Sequence, residues 1–363
     1  MISNLDRPNH PAAVTQKNSR PTELGHFLSA GSYDLFVWIL LLIYLLPVAY
    51  MVVLAFKSDA QLEDKHAPWY PAKRVTYTYQ GQVFDMYHVP TQSGIRRLAL
   101  AITDVKSSQF IDPLDSEARV INWNGDIDSL EPYYELSLTW ENFTRQFSER
   151  PFPKMIGDTL LLVVISEIGV LISSILVGYG FARFRLPGGD LLFYVLIATI
   201  LVPEKVTLIP TFFIYVNFFH WHGTIYPLIV SLFFGNAVFI FLLRQNFKSL
   251  PLDLEEAAML DGAGTLRRLF SVVLPQSWPV VVTITLLQFF YTWNETRLVT
   301  LYVGPNPNFV PISYAVQMYA SLRPIENAIE AANMVLLIIP VIFLMLSQRF
   351  FMRSMVITGM EKK

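Results

Sequence analysis

Asp158-Thr-Leu-Leu-Leu-Val-Val-Ile-Ser-Glu-Ile-Gly-Val-Leu-Ile-Ser-Ser-Ile-Leu-Val-Gly-Tyr-Gly-Phe181 carries Glu167 as its one charge after Asp158. About 20 apolar residues at about 1.5 Å each cross a bilayer core as a helix. Lipid offers no water to an unpaired peptide group, so such a run is read as helix and nothing else. Working outward, five more stretches have this character: Leu35 to Phe56, Leu191 to Tyr215, Ile225 to Leu243, Trp278 to Val303 and Ala328 to Phe350. The fold class expected is an all-α polytopic membrane protein with six transmembrane helices.

Composition agrees. Hydrophobic side chains make up 53% of the 363 residues and charged ones only 15%, with a mean hydropathy of +0.41, more apolar surface than a water-soluble domain hides. A net charge of −2 gives no basic footprint for nucleic acid. The absence of cysteine removes disulfides, thiolate metal sites and a Cys nucleophile. No HExxH pair occurs, and His220 and His222 flank Trp221 in a short loop that suits an interfacial anchor. Neither a catalytic residue nor a metal ligand is expected.

Basic residues set the orientation. Arg183, Arg185, Arg244, Lys248, Arg267 and Arg268 fall in loops of one side, and Arg349, Arg353, Lys362 and Lys363 follow the last run. The short loops of the other side, 216–224 and 304–327, hold only Arg323. The positive-inside rule then places both termini in the cytoplasm. The polar start, with Arg7, Lys17 and Arg20, lacks a small-residue cleavage site after the first run, which is therefore expected to be retained. Four regions follow: a cytoplasmic tail over 1–30, the first transmembrane helix over 31–57, an extracytoplasmic insertion over 58–135, and a core over 136–363 with helices two to six.

The insertion reads as small and β-rich. Arg74 to Tyr79 and Gln82 to Val89 alternate polar with aromatic or β-branched residues around Gln80-Gly81, a hairpin pattern. Residues 97–105 and 119–123 add further strands, and 138–147 form an amphipathic lead-in to the second span. The Asn142-Phe143-Thr144 sequon is expected to be accidental.

Residues 249–275 form the loop between the fourth and fifth spans. Pro251 suits a first helical turn, and Asp253, Glu255 and Glu256 suit its positive end. Gly262 and Gly264 free the backbone, Thr265 is placed to cap a second helix, and Pro275 to end it. Leu254, Ala258 and Asp261 fall on one face with Ala257 beside them, a small-residue surface for a partner's groove.

Glu256-Ala257-Ala258, three residues, Gly262, nine residues, then Val272-Val273-Leu274-Pro275 resembles the EAA loop of ABC importer permeases, with Val272 where isoleucine is usual. Arg183-Phe-Arg-Leu-Pro-Gly188, Leu201-Val-Pro-Glu-Lys-Val-Thr-Leu-Ile-Pro210 and Trp293-Asn294-Glu295 resemble the carbohydrate-uptake branch of that family, similar to the maltose permeases. The resemblance covers roughly residues 35 to 60 and 136 to 363, and the insertion departs from it. It implies the type I ABC importer permease fold and an inner-membrane subunit for a sugar or sugar-like solute. It also implies an ATPase-coupling surface at Glu256, Ala257, Ala258, Asp261, Gly262, Leu274 and Pro275. Partners implied are a second permease in a heterodimer, two ATP-binding subunits that hold ATP and magnesium, and an extracytoplasmic solute-binding protein. The chain itself has no GxxxxGK[ST] phosphate loop and needs no cofactor of its own.

Ionisable groups inside spans are expensive and default to functional candidates. Glu167, the adjacent Glu204 and Lys205, and Glu295 with Arg297 qualify. For a sugar path, polar groups for hydroxyls and aromatic faces for the ring are needed. Gln288, Tyr291, Trp293, Asn294 and Glu295 on the fifth span and Asn236 on the fourth supply them, although each equally suits bonding between helices. An ion-coupled secondary transporter is the alternative, but it calls for inverted repeats and gives no reason for an EAA-spaced loop.

Overall fold

The computed structural model describes residues 23–91, 94–103, 107–115, 119–148, 151–322 and 326–360. Arg7, Lys17, Arg20, Arg323, Lys362 and Lys363, used above for orientation, lie outside them, as do the side chains of Arg349 and Arg353.

The chain divides into two units, residues 1–50 and 51–363. The first holds most of one helix, α1 (Glu23–Ala55), whose stretch from Tyr33 onward has a mean hydropathy of 2.6. The second contains the short α2 (Asp59–Glu63), the strands, the lead-in α3 (Glu141–Ser148) and the helical core.

Within the core, α4 (Phe152–Arg183) is the organising element. Pro151 and Pro153 fit its start because the first turn has no partner for their missing N–H. Its buried face runs Phe152, Met155, Thr159, Leu162, Ser166, Gly169, Ser173 and Tyr179 at spacings of three, four and six. Much of that face is small, and small residues let helices approach closely in a membrane. A Cβ on Gly178 would meet the Leu243 Cβ at 3.0 Å, and one on Gly169 the Phe233 ring at 2.9 Å. The partner at Gly178 is α8 (Ala237–Ser249), which Asn236 caps by accepting from the N–H groups of Val238 and Phe239 at 2.9 and 3.3 Å. A short helix, α7 (Tyr226–Ile229), leads toward α8.

Among the described residues four helical stretches are long and apolar enough to cross a membrane: Tyr33–Ala55, Phe152–Arg183, Tyr226–Ser249 and Asn327–Gln348. The last lies in α14 (Glu326–Met360). Two more candidates are bent pairs: the first breaks inside the run expected over Leu191–Tyr215, where Pro203 and Pro210 imply a broken helix, and the second bends just before the run expected over Trp278–Val303. In the first pair, α5 (Gly189–Ile200) and α6 (Glu204–Phe213) with its continuing turn meet at 96°. Pro203 causes this break, since it disfavours helical backbone at Val202 and lacks an N–H. Pro210, by contrast, lies inside α6, so the chain breaks at one of the two prolines and not the other.

In the second pair, the stretch Thr265–Gln276, which contains α10 (Thr265–Arg268) and α11 (Leu274–Gln276), meets α12 (Trp278–Trp293) at 83°. Pro275 does not end the helix as expected. A wider five-residue turn over Leu269–Val273 precedes it, and widening relieves the clash a proline ring makes with the preceding turn. The bend falls at Ser277. The fifth run stops at Trp293 because the Asn294 side chain takes the Phe290 carbonyl at 2.9 Å, an alternative that competes with helix continuation. α13 (Ile312–Leu322) completes the core.

Residues 72–136 form the strands β1 (Ala72–Arg74), β2 (Thr76–Tyr79), β3 (Gln82–Thr91), β4 (Gly94–Thr103), β5 (Ser107–Ile111), β6 (Val120–Asn124), β7 (Glu131–Pro132) and β8 (Tyr134–Leu136). β2 to β6 pair antiparallel in chain order, β7 pairs with β3, and β1 with β8. Gln80 and Gly81 take φ of 49° and 82°, the two left-handed positions a tight hairpin turn needs. Val89, Leu98, Phe110 and Leu130 form its core. Asn142 of the sequon is buried, its amide donating to the Ala55 and Lys57 carbonyls at 2.8 Å each.

At the base of the sheet Asp64 accepts from Tyr134 and from the Arg74 guanidinium, which also reaches Asp85 at 3.1 Å. Burial opposes ionisation of Asp64, yet the bonds from Tyr134, the His66 N–H and Arg74 outweigh it and hold its carboxyl below the usual range. A depressed carboxylate contributes stability above its unfolded value of about 3.9 and loses it as pH falls further. Tryptophan fluorescence of the purified chain should therefore report insertion loosening below about pH 4. Asp64→Asn should cost about 1–3 kcal/mol at neutral pH and flatten that acid transition.

Candidate functional sites: a tethered loop and a cavity at the broken helices

The loop between α8 and α12 contains α9 (Asp253–Leu260). Its acidic first turn is not wholly a matter of the helix dipole. Glu255 is buried, with its carboxylate accepting from Tyr179 Oη at 2.8 Å and from Arg183 Nε at 2.6 Å, both at the end of α4. Arg183 also donates to the Leu250 carbonyl at 3.2 Å. A buried guanidinium, carboxylate and phenol thus satisfy one another, which a low-dielectric setting rewards only when the set is complete.

Beyond α9 the chain turns sharply. Gly262 has φ +78°, and the N–H groups of Ala263 and Gly262 close onto the Ala258 and Met259 carbonyls at 2.9 Å each. This is a glycine-terminated helix end with both carbonyls satisfied. Gly264, not Thr265, occupies the cap position of α10, and no side chain bonds there. Thr265 is instead the first helical residue, its hydroxyl accepting from Arg268 at 3.3 Å. Leu269 and Val273 then pack into the core beside Tyr179 and Phe247.

The result is a fixed hairpin whose exposed side mixes apolar side chains with the charges of Asp253, Glu256, Asp261 and Arg267. Leu252, Leu254, Met259, Leu260, Leu266 and Phe270 are exposed, Leu260 at 90%. Of the expected coupling residues, Glu256, Ala257, Asp261, Gly262 and Pro275 are exposed, and Ala258 and Leu274 are half-buried. Glu255 was legible only as a first-turn acid. Its partners Tyr179 and Arg183 lie 76 and 72 residues away, and no local pattern joins them.

A cavity of about 220 Å³ lies where α6 faces α4, α7 and α12. Gln288, Tyr291 and Glu295 line it, together with Glu204, Thr207, Thr211, Ser231 and Tyr215. Gln288 donates to Thr292 Oγ1 at 2.9 Å, and Glu295 accepts from the Leu298 N–H at 2.7 Å. Glu204 pairs with Arg297 across the break. Ser166 on α4 is 1% exposed, and its hydroxyl has no partner although it forms part of the wall.

Three of the expected path residues do not join this cavity. Trp293 is fully buried, its indole donating to the Leu336 carbonyl at 3.1 Å and its ring stacked on Phe289 at 5.6 Å. Asn236 caps α8, and Asn294 ends α12. The wall residues missed in the sequence, Thr207, Thr211 and Ser231, bond their hydroxyls to carbonyls of their own segment and read locally as ordinary helix residues. Glu167 has both carboxylate oxygens buried without a hydrogen-bond partner, and it does not line the cavity. Among the described residues no cluster of His, Asp and Glu is arranged to hold a metal.

Residues 174–357, which contain the tethered loop and most of the cavity wall, match the model of the binding-protein-dependent transport system inner membrane component family. The chain belongs to this family. Family membership makes it a subunit of a transporter in the membrane and leaves the ion-coupled carrier without support. It is 26% identical over 247 residues to a "Probable ABC transporter permease protein" of Pyrococcus horikoshii, covering 64% of this chain and 89% of that one. It is 29% identical over 228 residues to the sn-glycerol-3-phosphate transport system permease protein UgpE of Yersinia pestis, 60% and 79% of the two chains. The diacetylchitobiose uptake system permease protein NgcG of Streptomyces coelicolor is 28% identical over 205 residues, 56% and 68%. Among solved structures, a chain of a bacterial ABC transporter that imports the acidic polysaccharide alginate superposes with a TM-score of 0.65. That match covers 92% of this chain and 98% of the other at 17% identity, a likeness of fold.

Removing one member of the buried tether should be more costly than its bond count suggests. Glu255→Ala strands the Arg183 charge and should lower stability by about 3–5 kcal/mol. Tyr179→Phe loses a single bond, about 1–3 kcal/mol because it reaches a charged group. Thermal unfolding of the detergent-solubilised complex would check the order of the two.

Proposed function

We propose that this chain is the membrane-spanning permease subunit of an ATP-driven importer for a sugar or sugar-like solute. It forms half of the translocation path and takes its power through residues 249–275. The observation that carries the reading is the loop itself, a solvent-exposed hairpin with a row of exposed apolar side chains, locked to the end of α4 by Glu255, Arg183 and Tyr179. A surface clamped to a span transmits displacement, whereas a loose loop absorbs it. ATP-driven closure of two nucleotide-binding subunits would push on Glu256, Ala257, Ala258, Asp261, Gly262, Leu274 and Pro275 and so tilt α4 and α8 between inward-open and outward-open states. ATP and its magnesium would be held by those subunits.

The six-span arrangement, with both bent pairs counted as spans and both termini in the cytoplasm, puts this loop on the side where an ATPase works. It puts the β-rich insertion on the opposite side, with the solute-binding protein. The cavity at the broken helices suits a sugar. Amide, hydroxyl and carboxylate groups share the wall with the aromatic side chains of Tyr215, Tyr291 and Tyr302, the residue types that recognise hydroxyls and ring faces together. Its volume of about 220 Å³ falls below the roughly 300–1,000 Å³ of complete ligand pockets, which fits a path finished by a second permease. Sugar-handling relatives such as the diacetylchitobiose permease support this substrate class.

Two results test the reading. Uptake into membrane vesicles should cease on ATP depletion with the ion gradients intact, and survival of uptake would overturn it. At Gly262 a Cβ meets nothing within 4 Å, so only the left-handed backbone penalises substitution. Asn tolerates that conformation better than a β-branched residue. Gly262→Val should abolish solute-stimulated ATP hydrolysis with insertion intact, while Gly262→Asn should keep a substantial part of it.

A further inference from the structure

We infer that the cavity at the broken helices selects by charge, accepting neutral or amino-substituted sugars and disfavouring acidic ones such as uronates and phosphate esters. This rests on the path proposed above and adds to it the sign of the field inside. Among the described residues the wall holds two carboxylates, Glu204 and Glu295, and no Lys, Arg or His. Arg297 compensates the first from beside the cavity, since it pairs with Glu204. Glu295 makes no ion pair among the described residues. Its carboxylate is held in place by the Leu298 N–H at 2.7 Å, so it is a fixed charge and not a side chain free to swing away. Ser166 supplies an independent sign that a ligand group belongs here. Its hydroxyl is buried to 1% exposure, lines the wall and has no partner, and a buried hydroxyl without a partner costs free energy that a solute hydroxyl would recover.

Arg297 also feels the charge of Glu295, but two carboxylates against one guanidinium leave a net negative charge at the cleft, which raises the local concentration of cations and lowers that of anions. A neutral sugar escapes this discrimination and gains the hydroxyl contacts of Ser166, Gln288 and Glu295. A sugar acid meets the field with no cationic side chain on the wall among the described residues, and the nearby Arg297 is already engaged by Glu204.

The chain contains no cysteine, which permits a test that needs no knowledge of the solute. Thr207→Cys and Ser231→Cys each place one thiol on the cavity wall. In native membranes carrying the full transporter, each would be reacted with methanethiosulfonates bearing either trimethylammonium or sulfonate, and labelling of this chain followed by mass. Relative to the same reagents on free glutathione, the cationic reagent should be favoured about tenfold. Adding Glu295→Gln should bring the ratio near one, whereas Glu295→Asp should retain it and Arg297→Met should raise it. A ratio near one in the single-cysteine proteins, or one that Glu295→Gln leaves unchanged, would overturn the inference. So would thiols that label after denaturation but not in the folded complex. ATP-dependent uptake is a separate reading: it can persist with no charge preference in the cavity, in which case this inference fails and the proposed function stands.

Discussion

The constraint on which everything else depends is that peptide groups within a membrane must be paired inside the chain, because lipid supplies no substitute for water. A member of an inner-membrane transporter family can therefore interrupt a helix only where something else takes up the freed groups. The interruptions here follow that rule. At Ser277 the side chain and N–H both return to the Val273 carbonyl. At Asn294 the amide accepts its role as a substitute helix partner. At Asn236 a side-chain oxygen covers two orphan N–H groups. The cavity begins just beyond the Pro203 break, at Glu204.

A second feature follows from the close packing of α4. Its small residues let α8 pack closely at Gly178. Tyr179 and Arg183 join α4 to the loop through Glu255, which holds the loop to the end of the span. Cavity and loop are thus tied to the same helix, α4, through Ser166 at one level and Tyr179 with Arg183 farther along it.

Much of this was legible in the residues. The long apolar runs over residues 158–181 and 328–350 became long helices because hydropathy and length leave few alternatives. The Gln80-Gly81 hairpin was legible because two left-handed positions in succession have a narrow residue signature. The glycine break at Gly262 was visible for the same reason. Trp293 shows the limit of such reading. Its type suits a sugar's ring face, but the structure seats it in a fully buried stack with Phe289, and nothing in the residues around it distinguishes the two uses.

The residues alone were enough to mark the chain as membrane-embedded, to place its long apolar helices, and to show a glycine break in the loop expected between the fourth and fifth spans. Those properties come from near neighbours, through periodicity, apolarity and backbone preference. Only the tertiary structure decided which proline breaks its helix, which acid is the buried anchor and which polar side chains share a cavity. Pro203 and Pro210 are the same residue type in one run, and Glu255 and Glu256 are adjacent and alike. What separates the members of each pair is the neighbouring helix that comes to meet them, and that distance in sequence carries no local signal.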